Sequence, residues 1–93
     1  MDKFVITLIN TTNKVKVAID GVPQKTLRMQ RFRTYYFDVQ FPPNISLDFA
    51  NYKIAAGTTA KIMFDEHAPN QFIYMINNNP GGGGVIELEG AGK

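Results

Sequence analysis

Apolar residues recur at every second position in this chain, in short runs bounded by turn residues. A strand points successive side chains to opposite faces, so a period of two marks extended segments with one buried face. In "KVKVAIDG", Val15, Val17 and Ile19 fall on one side, with Lys14, Lys16, Ala18 and Asp20 on the other. "YYFDVQF" sets Tyr35, Phe37, Val39 and Phe41 against Tyr36, Asp38 and Gln40. "ISLDF" sets Ile45, Leu47 and Phe49 against Ser46 and Asp48; "AKIMF" and "VIELEG" continue the pattern with Ala60, Ile62, Phe64, Ile86 and Leu88. Two runs, "FVITLI" and "FIYMI", are apolar on both faces and suit central strands or an interface.

The breaks carry turn chemistry. Asp20-Gly21 tolerates the positive φ angles of a tight hairpin. Pro42-Pro43-Asn44 cannot continue a central strand, because proline donates no ladder hydrogen bond. Ala56-Gly57, Ala68-Pro69-Asn70 and the stretch from Asn77 to Gly84 punctuate the rest. The reading is all-β: a small antiparallel β-sandwich, of jelly-roll or immunoglobulin-like topology, with about seven or eight short strands. The segment "SLDFANYKIAAG", near residues 46–56, also fits a short helix closed by Gly57, with Leu47, Ala50 and Ile54 inward; a strand through Phe49 is preferred. A chain of 93 residues holds one core, so residues 1–90 are assigned to a single domain and 91–93 to a flexible C-terminal tail.

Absent residue types narrow the chemistry. There is no cysteine, which removes disulfide frameworks, zinc ribbons and thiol nucleophiles. The apolar run in "MDKFVITLINTT" is too short for a signal peptide or a bilayer span, so a cytoplasmic location is expected, or one within an assembly made there. The formal charge of +2 points to no partner by itself. Its distribution says more: residues 1–33 hold seven Lys/Arg against two Asp, whereas 34–93 hold three Lys against six Asp/Glu. Such polarity favours an acidic partner or head-to-tail contact between copies, unless folding interleaves the halves.

"RMQRFRTYYFDV" is the densest cluster of cations and rings. Alternation sends Tyr35 and Phe37 into the core, leaving Tyr36 and Phe32 as the rings available for stacking. A strand running unbroken through Arg31 and Arg33 would bury both charges, so it is expected to begin near Thr34, with Arg28, Arg31 and Arg33 on a loop or strand end. Arg28, Arg31, Phe32, Arg33 and Tyr36 are therefore the candidate binding residues, for phosphate, carboxylate or an acidic protein surface.

"NNNPGGGGVIELEG" has consecutive glycines but lacks the spacing, the Lys-Ser/Thr pair and the following helix of a phosphate loop; it reads as a flexible connector between strands. The single histidine, His67, adjoins Asp65 and Glu66, and a metal site there would need distant acids such as Asp38 or Asp48. No metal and no cofactor are expected. A hydroxyl triad would have to use Ser46 with His67, yet Ser46 lies mid-strand rather than on an exposed elbow. Glu87 and Glu89 share one strand face about 7 Å apart, a separation common on solvated strands. The expectation is therefore not an enzyme but a non-catalytic protein-interaction or structural assembly module, self-associating or docking on another protein. Two alternatives stand beside it. One is a small-ligand or glycan binder using Tyr36, Tyr52, Tyr74 and the asparagine-rich loop. The other is nucleic-acid binding through Arg28, Arg31 and Arg33.

Overall fold

The computed structural model describes residues 2–12 and 14–90. Ten strands form among them: β1 (Lys3–Thr11), β2 (Lys14–Ile19), β3 (Val22–Pro23), β4 (Leu27–Gln30), β5 (Tyr35–Val39), β6 (Leu47–Phe49), β7 (Tyr52–Ile54), β8 (Thr58–Ile62), β9 (Gln71–Ile76) and β10 (Asn79–Glu89). They make two five-stranded sheets, ordered β3-β2-β1-β5-β8 and β4-β10-β9-β6-β7. The all-β sandwich read from alternation is what forms. Its sheets are mixed, because β1 lies parallel to β5 and β10 parallel to β4, while every other pair is antiparallel. The chain crosses between the sheets after β3, β4, β5, β7 and β8, so neighbours within a sheet need not be consecutive strands. The expected C-terminal tail at 91–93 lies outside the described residues.

The core is the inward set of both sheets. Ile6, Val17, Ile19, Phe37 and Val39 from one sheet meet Leu27, Met29, Leu47, Phe49, Tyr74 and Ile86 from the other, all buried. Each fully buried aliphatic or aromatic side chain contributes about 1.5–3 kcal/mol. Phe49 sits at the centre of the aromatic packing, with ring centroids 5.1 Å from Phe37, 5.6 Å from Tyr52 and 6.4 Å from Phe72.

The turns follow their residues. Asp20 and Gly21 both take positive φ (49° and 85°) between the paired residues Ile19 and Val22, as the hairpin reading required. Asn77 and Asn78 (φ 48° and 62°) do the same between Ile76 and Asn79. The alternative of a short helix near 46–56 does not form: Leu47↔Ile54 and Phe49↔Tyr52 pair as a hairpin around Ala50-Asn51. A helix would have taken Leu47 and Phe49 out of the ladder they share with β9.

Three further expectations are corrected. The glycine run is not a loop, since it lies inside β10 with Gly82 and Gly83 buried. A Cβ on Gly83 would stand 1.7 Å from the Tyr74 carbonyl oxygen, and one on Gly82 would stand 2.7 Å from the Val15 carbonyl oxygen. The glycines serve close approach of backbones rather than flexibility. Ser46 and Asp48, assigned to a wet face, are buried. The Ser46 hydroxyl donates to Asp48 Oδ1 (2.9 Å), and the Asn78 N–H donates to Asp48 Oδ2 (2.6 Å), so the asparagine turn folds over this carboxylate. Val15, assigned inward, is 48% exposed.

Candidate functional site

The basic-aromatic stretch is divided by the fold. Arg28 lies on β4 and its exposed guanidinium stands 3.6 Å from Glu87 on the neighbouring β10. Arg33 pairs with Asp2 through two hydrogen bonds, and that bonding with the Asp2 carboxylate holds the guanidinium above its usual range. Arg31 departs from the expected role. It is 6% exposed, and its guanidinium donates to the carbonyls of Asp65 (2.7 Å) and Ala68 (2.8 Å) and to Asn70 Oδ1 (2.6 Å). Burial and these bonds make Arg31 a clasp for the loop before β9, not a contact for a ligand. The strand expected to begin near Thr34 begins at Tyr35. The charge avoids an unpaired burial by finding backbone oxygens rather than water.

Phe32 is 56% exposed and takes a left-handed backbone (φ 66°), held by its N–H donating to the Phe64 carbonyl at 2.7 Å. Tyr36 is half-buried on the outer face of β5. Of the proposed sugar-stacking tyrosines, Tyr74 is removed by burial: its hydroxyl donates to the Lys25 carbonyl (2.6 Å), and burial pushes the phenol up to about 12.

The molecule measures 40 × 22 × 22 Å, and its two ends differ. At one end the β1–β2 and β9–β10 hairpins project together. Leu8, Val15, Ile45, Ile76 and Gly82 line an open groove of about 620 Å³ between them, with Lys14 and Asn79 on its rim. Lys16 Nζ stands 3.4 Å from the Gly81 carbonyl oxygen at the same end. Lys14, Lys16 and Lys53 make no ion pair among the described residues. At the opposite end, the turn after β4, the segment 63–70 and the end of β10 are tied together, with Arg31 N–H donating to the Glu89 carbonyl and Leu88 N–H to the Asn70 carbonyl. Asp65, Glu66 and Glu89 gather there without a lysine or arginine partner among the described residues. Phe32 and Met63 (46% exposed) project nearby. The groove was missed from sequence because its walls come from residues far apart in the chain. The exposed position of Val15 had no local signal.

The catalytic combinations do not assemble. The Ser46 hydroxyl is spent on Asp48 and Asn77, while His67 is exposed at the other end of β6, with Nε2 3.4 Å from Glu66. Glu87 faces Arg28, and Glu89 accepts from the Gln30 amide at 3.0 Å.

The chain matches no protein-family profile and no curated protein sequence. Its fold matches the crystal structure of the McoA multicopper oxidase from the hyperthermophile Aquifex aeolicus, and that of the 2F4 variant of the same protein, each with a TM-score of 0.63 and 14% identity. The likeness is one of fold alone. The matches cover 95% and 96% of this chain but 26% and 27% of the oxidase chains, so this chain spans about a quarter of their length. Their name implies copper. A blue-copper centre takes two histidines and a cysteine; this chain has one histidine and no cysteine, and no three His, Cys, Asp or Glu side chains converge among the described residues. The donor set does not fit such a centre. No helix among the described residues is long and apolar enough to cross a membrane.

Proposed function

We propose that this chain is a non-catalytic interaction module that acts through the shape and charge of its exterior, by assembling with copies of itself or docking on another protein. The observation that carries the reading is a set of large apolar side chains left exposed, one of them in a stripe on the outer face of the second sheet. Val15, Phe32, Met63 and Ile73 are each between 44% and 56% exposed. Ile73 pairs across the ladder with Val85 on the outer face of the second sheet, and Met75 continues the same stripe. Clustered apolar surface, as in this stripe, is a mark of contact surfaces.

The reading is tested by light scattering with sedimentation, from micromolar to millimolar protein. Growth of the average mass with concentration supports assembly. A single-chain mass throughout overturns self-association and leaves docking on another protein, for which Ile73→Lys in the apolar stripe is the variant to compare.

A further inference from the structure

We propose that copies of this chain join head to tail, with the Phe32 end of one seated on the groove between the two projecting hairpins of the next. This rests on the assembly reading and goes further, naming both halves of the contact. Two observations point to a second copy as the occupant. The groove has apolar walls from Leu8, Val15, Ile45 and Ile76, and the opposite end carries an exposed apolar projection, Phe32 with Met63. The charges complement each other: Lys14 and Lys16 lie at the groove end, and Asp65, Glu66 and Glu89 at the Phe32 end, none paired with an opposite Lys/Arg or Asp/Glu charge among the described residues.

The two patches differ, so the contact is heterologous, and its repetition gives an open chain rather than a closed dimer. The charged rims steer the encounter and the apolar surfaces hold it, so added salt weakens it.

The test uses two surface variants. Val15→Glu places a charge in the groove, and Phe32→Asn removes the projecting ring while suiting the left-handed backbone. The unmodified chain is expected to grow past two copies as concentration rises, and to shrink with added salt. Each variant alone is expected to show the mass of a single chain. An equimolar mixture is expected to show twice that mass and no more, because one variant keeps the projection and the other keeps the groove. Thermal melting confirms folding, with Phe32→Asn melting at or above the unmodified chain. If the unmodified chain never associates, the assembly reading falls and this inference with it. If it associates but stops at two copies, or if the variants associate as it does, assembly stands and the head-to-tail contact is overturned. A mixture that stays at single-chain mass also overturns it.

Discussion

Arg31 shows how much one side chain holds in place. Its buried guanidinium reaches two carbonyls and an amide oxygen of the 65–70 loop, and only Nε has no partner among the described residues. Truncation would remove three bonds that a charged group donates to the 65–70 loop, so Arg31→Ala is expected to cost about 3 kcal/mol in urea unfolding. Arg31→Lys should recover little of it, since one ammonium cannot span acceptors that the planar fork reaches together. Tyr74 supplies a prediction in pH. Its phenol holds a proton up to about 12 in the folded chain, against 10.0 as the ordinary value. Below pH 10 the phenol is protonated in both states and stability is intact. As pH rises toward 12, the unfolded chain loses the proton first, and stability should fall by about 2–3 kcal/mol. Tyr74→Phe should flatten that alkaline limb and cost about 1 kcal/mol at neutral pH, through the lost bond to Lys25. Urea titrations at several pH values check both.

At the level of elements, β10 is the strand whose nature was hardest to read. Local preference makes four consecutive glycines a connector, because a glycine strand is entropically costly. The strand forms because other groups need the space: the Tyr74 backbone passes where a Gly83 side chain would be, and Gln24 Nε2 donates to the Gly83 carbonyl at 2.9 Å. Gly83→Ala is therefore expected to break the β9–β10 ladder and lower stability by about 3 kcal/mol or more. Gly81→Ala would meet only the Asn79 amide oxygen at 3.3 Å and should change stability by less than about 1 kcal/mol. Thermal denaturation of the pair separates the two roles. The β6–β7 hairpin carries a similar lesson. Its helical alternative had the right spacing of Leu47, Ala50 and Ile54, and lost because β6 also pairs with β9.

For the whole molecule, the polarity of the sequence is partly cancelled and partly sorted by folding. Lys3–Asp38 and Arg28–Glu87 join the basic and acidic halves. The remaining lysines of the projecting hairpin and the acids of the 65–70 and 87–89 segments end up at opposite poles of a 40 Å body. Charge reversal should therefore act by position. Lys14→Glu with Lys16→Glu is expected to suppress association at low salt, whereas Lys3→Glu, at the paired site, should leave association unchanged. Sedimentation at two salt concentrations reads the difference.

Alternation, turn residues and composition by themselves determined the all-β class, the inward faces of β5, β8 and β10, the Asp20-Gly21 hairpin and the exclusion of thiol chemistry, because each depends only on neighbouring residues or on residue counts. Tertiary structure decided the rest: that Arg31 turns inward, that Ser46 and Asp48 are covered by the Asn77-Asn78 turn, that the glycine run is a strand, and that Val15 lines a groove. Each of these depends on which distant backbone passes within a few ångströms. No periodicity along the chain carries that information, since non-local contacts are set by how the two sheets cross.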